Sequence, residues 1–217
     1  MSSVVDICNT ALAHLGSDAQ ISAISPPDGS TEAGYCSRFY PIARRRLLES
    51  FVWPFATKRA ALAGVANSSD VWSYAYAVPA DCLRPVRILT AGQLRSLLEQ
   101  LTNQSDGTIR TTLFDEEAGA PYQREGDVLY THEPEAVLLY LRDVTNPTKF
   151  SPVFEEALGY QLASFLAGPI VRGADGAKTA QNFRQMARAS AGEAIELAAN
   201  QSQEQHSPVP GHLAVRA

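Results

Sequence analysis

The chain has 217 residues, of which 45% are hydrophobic and 19% are charged, a composition typical of a globular protein with a sizeable core. Its 18 basic and 23 acidic residues give a net charge of -5, which excludes strong whole-chain electrostatic binding to DNA. The opening residues lack the basic region of a secretory signal, and no apolar run approaches the roughly 20 residues of a membrane helix. We therefore expect synthesis in the cytoplasm and no membrane partner.

Two helices are predicted in the first 53 residues. Apolar residues recur at helical spacing over residues 4–15, after a serine N-cap at position 2 or 3. A second apolar stripe covers residues 33–51, with Asp28 or Ser30 as the N-cap of its helix. Pro41 lies inside this stripe, so we expect it to kink or divide the helix.

Residues 54–149 consist of short, β-rich segments separated by Gly, Asn, Asp or Pro. Aromatic and small residues alternate over residues 72–78, which predicts a half-buried strand with Trp72, Tyr74 and Tyr76 on one face. The stretch "GQLRSLLEQLTNQ" fits either a short helix or a pair of strands. The predicted strands lie in "ATKRAALA", "WSYAYAVP", "LRPVRILT", "TIRTTLF", "DVLYTH" and "AVLLYLRDV".

Two further helices follow the β-rich region. Ser151 is a suitable N-cap, Pro152 fits the first helical position, and Glu155 favours the positive end of the helix dipole. The last helix is predicted from about residue 175 to residue 200. One of its faces consists mainly of small residues, which permits close helix packing: Ala180, Phe183, Ala187, Ala191, Ala194 and Ala198.

The order of these elements predicts an α+β fold. Residues 1–53 and 150–200 are expected to form an antiparallel helical bundle, with two helices from each part of the chain. Residues 54–149 are expected to form an inserted antiparallel β domain, and residues 201–217, which lack periodicity, an extended C-terminal tail.

The sequence predicts neither a metal site nor a cofactor. The three cysteines, Cys8, Cys36 and Cys82, have no CxxC spacing and lie in apolar contexts, so we expect buried, reduced thiols. None of the four histidines pairs with another ligand at zinc-like spacing. The chain also lacks a glycine-rich loop of the kind that binds phosphate.

Two groups of acidic residues are candidates for catalytic carboxylates. Glu155 and Glu156 are adjacent and point about 100° apart on a helix, where the helix dipole explains their charge better than acid–base chemistry does. Glu116 belongs to an acidic run that a solvated strand end explains. The sequence therefore predicts no catalytic residue, although a peptidoglycan hydrolase that uses Glu155 or Glu116 remains an alternative.

Three consecutive arginines, Arg44, Arg45 and Arg46, lie on the second helix. They span about 200° of its circumference, so they cannot form one flat DNA-binding stripe. We expect a solvated face that makes one or two ion pairs between subunits.

Three aromatic residues, Phe51, Trp53 and Phe55, flank Pro54 at the junction between the helical and β-rich regions. Single-strand binding requires aromatic rings on a surface beside a basic groove. At this junction the rings can point inward instead, so we predict a structural corner within the core.

The stretches "DICNTALAHLGS", "ISAI" and "YCSRFYPIARRRLLESFVWPFATKRAALA" occur in this order, followed by "WSYAYAVPADCLRPVRIL" and "LLYLRDVTNPTKFSPVFEEALGYQLASFLAGPI". In their order and spacing, the sequence resembles the head-to-tail adaptor proteins of tailed phages, which include tail tubular protein A of short-tailed phages. The resemblance covers about residues 4–200 and is weakest around residues 91–127.

The resemblance implies a structural virion protein, not an enzyme, at the head–tail junction. It implies a homo-oligomeric ring, usually dodecameric, that binds the portal protein after DNA packaging and supports the tail nozzle or tail tube protein. Double-stranded DNA would pass through the ring without specific binding. A tail-completion or terminator ring with another copy number is a further alternative.

The C-terminal tail is expected to bind the portal. Pro208, Pro210 and Gly211 disfavour a helix, and the apolar residues beyond them alternate at the period of a strand. Such a segment can add to a sheet edge or occupy a groove. The residues expected to contact the portal are Val209, Leu213, Val215 and Arg216.

Overall fold

A computed structural model of the chain describes residues 3–90, 119–171 and 173–202, and their side chains as far as residue 194. Within these ranges the fold is mixed α+β, with four helices and two small antiparallel sheets. The helices are α1 (Val4–His14), α2 (Thr31–Ser50), α3 (Pro152–Val171) and α4 (Gly173–Ser202).

Serine residues cap the first two helices. The Ser3 hydroxyl accepts a hydrogen bond from the Asp6 backbone N–H at 3.1 Å, and the Asp6 carboxylate accepts one from the Ser3 N–H at 2.8 Å. Ser30 accepts from the Ala33 N–H at the start of α2. Each bond satisfies a backbone donor that the first helical turn leaves free.

Helix α2 continues through Pro41 and is not divided there, and the alternative expectation of a kink stays a prediction. Proline removes one backbone donor and crowds the preceding turn. Tyr40, Ala43 and Leu47 are buried around this position, and their packing keeps both halves of the helix in the core.

Helix α3 packs against each of the other three helices. Phe154, Leu158, Leu162 and Leu166 are fully buried along its length. Gly176 allows α4 to approach α3 closely, because a β-carbon at this position would lie 3.1 Å from the Ala167 carbonyl oxygen.

The first sheet has the strand order β1-β6-β3 and the second has the order β2-β5-β4, with antiparallel pairing throughout. The strands are β1 (Thr57–Ala61), β2 (Tyr74–Ala77), β3 (Cys82–Leu89), β4 (Tyr122–Glu125), β5 (Val128–Thr131) and β6 (Val137–Arg142).

The first sheet lies between the helices and the second sheet. On β6, Leu141 belongs to a large apolar cluster with the helices. Leu138 and Tyr140, on the opposite face of the same strand, belong to a smaller cluster with Tyr76 and Leu129 of the second sheet. The larger cluster therefore contains residues of the predicted β domain, such as Ala56 and Leu141, together with residues of the helices.

Two details of the β region differ from the sequence-based prediction. Strand β4 was not among the predicted strands. The predicted alternation in β2 is wrong, because Tyr74 is exposed whereas Ala75 and Tyr76 are both buried. The loop before β2 explains the burial of Ala75, because it folds over the outer face of the sheet: the Ser68 hydroxyl lies 3.0 Å from the Tyr130 hydroxyl.

The end of α4 also differs from the prediction. The helix ends at Ser202, so residues 201 and 202 belong to it and not to the predicted tail. The predicted strand "TIRTTLF" and the stretch "GQLRSLLEQLTNQ" lie outside the described residues.

Candidate functional site

The aromatic corner joins α2, α3 and β1. Trp53 is only 2% exposed, and its Nε1 donates a hydrogen bond to the Leu47 carbonyl at 2.9 Å. Its ring meets Phe154 of α3 edge-on, with centroids 4.9 Å apart. Phe51 and Phe55 are half-buried beside it. The prediction that Trp53 is buried in the core is confirmed, and its ring is not available to stack on a nucleic acid base.

The arginine cluster divides between the interior and the surface. The Arg44 side chain is 7% exposed, and its Nη2 lies 2.7 Å from Oδ1 of Asp143. Nε of Arg45, whose side chain is 62% exposed, lies 2.9 Å from Oδ2 of the same carboxylate. The predicted solvated face is therefore wrong for Arg44, because this residue lies on the buried side of α2 and pairs within its own chain. Arg46 is exposed, and a subunit contact of the cluster stays a prediction.

Two buried polar atoms lie one helical turn apart on α2, at Tyr40 and Arg44. The Tyr40 hydroxyl and the Arg44 Nε have no hydrogen-bond partner among the described residues. Burial disfavours the phenolate and raises the pKa of Tyr40 to about 12, although the charge of Arg44 opposes this shift. Tyr40 therefore stays protonated and neutral at physiological pH.

A polar network that sequence analysis missed joins the first sheet to the loop before β3. The Lys58 ammonium lies 2.8 Å from the Asp81 carboxylate, and the Tyr140 hydroxyl donates to that carboxylate at 2.6 Å. The hydrogen bond from Lys58, followed by that from Tyr140, lowers the pKa of Asp81. No local pattern reveals this network, because its members are far apart in sequence.

The outer face of the second sheet carries a second contact cluster that the sequence did not indicate. The rings of Trp72 and His132 lie 4.8 Å apart, and Trp72 Nε1 donates to Gln123 Oε1 at 3.2 Å. The Ser73 hydroxyl lies 3.0 Å from His132 Nδ1. Val71, immediately before this cluster, is 74% exposed.

The loop that presents Val71 is held by local hydrogen bonds. The Asn67 side chain donates to the Trp72 carbonyl at 2.6 Å and accepts from the Ser69 N–H at 2.9 Å. The Ser69 hydroxyl accepts from the Val71 N–H at 3.2 Å. These bonds fix the backbone around Val71 while its apolar side chain faces solvent.

The candidate catalytic residues show no shared site. Glu155 lies in the first turn of α3. The Glu156 carboxylate accepts a hydrogen bond from the Tyr160 hydroxyl one turn later, at 3.3 Å. Glu116 lies outside the described residues. Within the described ranges, no group of three or more His, Cys, Asp or Glu residues is placed to hold a metal ion.

All three cysteines are free thiols. Cys8 and Cys36 are buried, as predicted, whereas Cys82 is half-buried. A hydrogen bond with Cys36, together with burial, raises the pKa of the Cys8 thiol, so Cys8 is protonated at neutral pH. A protonated, buried thiol is a poor nucleophile.

The predicted portal-binding residues Val209, Leu213, Val215 and Arg216 lie outside the described residues, and their role stays a prediction. Along the described part of the chain, no helix combines the length and apolar character needed to cross a bilayer. No protein-family model matches the chain, and no curated protein matches it.

Proposed function

We propose that this chain is a structural head-to-tail adaptor of a phage virion. Copies of it form a dodecameric ring at the head–tail junction, where the ring binds the portal protein on one side and the tail nozzle or tail tube protein on the other. The ring encloses the channel through which double-stranded DNA leaves the head.

The proposal rests on the positions in the fold of the stretches that resemble the adaptor family. The four long stretches that bear it cover α1, then α2 with the corner and β1, then β2 with β3, and finally β6 with α3. Each of them contributes buried residues to at least one of the two apolar clusters. The resemblance therefore involves residues that determine packing, as a shared scaffold requires.

The proposal includes a finer architecture. The four helices form an antiparallel bundle, the two sheets form an insertion between its halves, and the chain beyond α4 is a tail that binds the portal. The central position of α3, which packs against the other three helices, supports the bundle.

The charge of the chain supports a conduit. A net charge of -5 per copy gives the ring a negative overall charge. A negative overall charge disfavours strong electrostatic binding of the ring to DNA phosphates, as the passage of DNA through it requires.

Immunogold labelling of purified particles tests the proposal. Antibodies against this chain should label the one vertex at which the tail joins the head. Label spread over the capsid, or none on intact particles, would contradict the proposal. The native mass of the chain bound to isolated portal rings distinguishes a dodecamer from a terminator ring with another copy number.

A zymogram tests the hydrolase alternative. The purified chain should not clear a peptidoglycan gel. Clearing that is lost in the Glu155→Gln variant would support a hydrolase and contradict a purely structural role.

A further inference from the structure

The exposed side of α2 is basic with an apolar centre. Arg38, Ile42 and Arg46 follow one another at intervals of four residues, so they form a row on the helix surface. Ile42 is 49% exposed, and Arg38 and Arg46 are exposed on either side of it. Arg45 lies beside the row. We call these four residues the basic face of α2.

The basic face keeps a net positive charge. Asp143 is shared between Arg44 and Arg45, so this carboxylate offsets only one of the two guanidinium charges. Glu49, exposed at the end of α2, offsets one more charge. The charges of Arg38 and Arg46 are then not balanced by acids on this face.

The second sheet and its loops have the opposite charge. Residues 62–80 and 119–136 contain five acids and one arginine, Arg124, which gives a net charge of -4 with histidine neutral. All five acids are at least partly exposed: Asp70, Glu125, Asp127, Glu133 and Glu135.

Three of these acids belong to the loop of the exposed Val71 or to the segment that this loop contacts. Asp70 precedes Val71 in the loop, and the ring contact between Trp72 and His132 brings this loop to the segment after β5. Glu133 and Glu135 belong to that segment. We call Asp70, Val71, Glu133 and Glu135 the acidic end of the second sheet.

We infer that the basic face of α2 in one copy contacts the acidic end of the second sheet in the next copy of the ring. This inference rests on the proposed function, because a closed ring of identical subunits requires two different surfaces that fit each other. The two surfaces have opposite charge, and each has an exposed aliphatic side chain among its charges, Ile42 or Val71. An apolar centre with a charged rim is the usual composition of a protein–protein interface.

In a single copy, neither surface is covered by other described parts of the chain. Ile42 is about half exposed in the isolated chain, and Val71 is largely exposed. The first sheet separates the helices from the second sheet, so the two surfaces belong to different layers of the molecule. A neighbouring copy supplies the missing partner for each.

Cysteine cross-linking between two variants tests the contact directly. Ile42→Cys and Val71→Cys are made separately in a Cys82→Ser background, in which the remaining native thiols, Cys8 and Cys36, are buried. Mixed and oxidised with diamide, the two variants should give at least ten times more disulfide-linked dimer than either variant alone. Sodium chloride at about 1 M should reduce the yield, because it shortens the screening length to about 3 Å.

Charge reversal identifies the surfaces. Arg38→Glu with Arg46→Glu, introduced into the Ile42→Cys protein, should reduce the mixed cross-link about tenfold. Asp70→Arg with Glu135→Arg in the Val71→Cys protein should restore it. Arg184→Glu with Arg188→Glu on the exposed side of α4 is the matched control and should leave the yield unchanged. Circular dichroism confirms that each variant is folded.

The results separate this inference from the proposed function. Equal yields in the mixture and in the single variants, no rescue by the reciprocal charges, or an equal loss in the control would overturn the inference. Rings on portal particles that show no cross-link between positions 42 and 71 would overturn it while leaving the adaptor function intact. The cross-link could also be lost and rescued as expected while labelling shows that the chain is absent from the head–tail junction. That result would support the contact and overturn the adaptor function.

Discussion

Arg44 and Asp143 lie 99 residues apart in sequence, yet the Nη2 and Oδ1 atoms of the pair are 2.7 Å apart. Arg44 is on the buried side of α2, and Asp143 immediately follows β6. The ion pair therefore joins the helical layer to the central strand of the first sheet.

The first prediction concerns this ion pair. Asp143→Asn should lower the free energy of unfolding by about 3 kcal/mol, because it leaves the buried Arg44 charge without a counter-ion. Arg45→Ala removes the exposed partner of the same carboxylate and should cost less than about 1 kcal/mol. Urea unfolding followed by circular dichroism measures both, and similar losses in the two variants would contradict the assignment of Arg44 as the buried partner.

The second prediction compares two substitutions that each remove a tyrosine hydroxyl group. Tyr140→Phe removes the 2.6 Å hydrogen bond to Asp81 and should lower the free energy of unfolding by about 1 kcal/mol. Tyr40→Phe removes a buried hydroxyl that has no partner among the described residues, so it should leave stability unchanged or raise it. Urea unfolding of both variants tests this difference, and a larger loss for Tyr40→Phe would contradict it.

The helices were predictable from the sequence because their signals are local. Ser3 and Ser30 precede apolar residues at helical spacing, and Ser151 and Pro152 mark the start of α3 in the same way. Strand β4 was missed because its sequence, "YQRE", is short, polar and largely exposed at a sheet edge. Its position depends on pairing with β5, which supplies the apolar residues of the hairpin.

The contacts of the candidate site were less predictable, because they depend on pairing between distant residues. The burial of Trp53 followed from its aromatic neighbours at a proline-containing corner. The burial of Arg44 was missed although its spacing from Tyr40 and Leu47 places it on the buried side of α2, and its ion pair depends on Asp143, 99 residues away. The cluster of Trp72 with His132 likewise depends on the register between β2 and β5.

The third prediction concerns acid stability. The pKa of Asp81 is lowered in the folded chain, chiefly by Lys58, so the carboxylate stabilises the fold at pH values above its ordinary pKa of about 4. This contribution is lost as the pH falls through the lower, folded-state pKa. The stability difference between the native chain and Asp81→Asn should therefore be constant from about pH 5 to pH 8 and shrink below about pH 4.

Urea unfolding at a series of pH values tests the direction of this pH dependence. Lys58→Met removes the main cause of the pKa shift, so it should reduce the acid-dependent loss of stability. A difference between the native chain and Asp81→Asn that persists undiminished near pH 2 would show that Asp81 acts through something other than its charge.

The fourth prediction concerns the aromatic corner. Trp53→Ala should lower the free energy of unfolding by about 3 to 5 kcal/mol, because it removes a buried ring and leaves a cavity beside Phe154. Trp72→Ala is the matched control, since Trp72 is only half-buried on the second sheet, and it should cost clearly less. A Trp53→Ala protein with an unchanged melting temperature and a loss of nucleic acid binding would contradict the structural role.

The last prediction concerns the C-terminal tail and rests on its sequence. Beyond Glu204 the chain contains no acid, and its apolar residues alternate at strand period around Leu213 and Val215. Deletion of residues 205–217 should leave the melting temperature unchanged, because we expect this segment to be an extended tail outside the core. The same deletion should abolish or sharply weaken binding to isolated portal rings, measured by co-sedimentation. Leu213→Ser with Val215→Ser should reproduce much of this loss of binding, because serine side chains are not stabilised by burial in apolar pockets. The control variant Ser207→Ala should bind portal rings as the full chain does. A truncated chain that binds portal rings with the affinity of the full chain would show that the adaptor uses another surface.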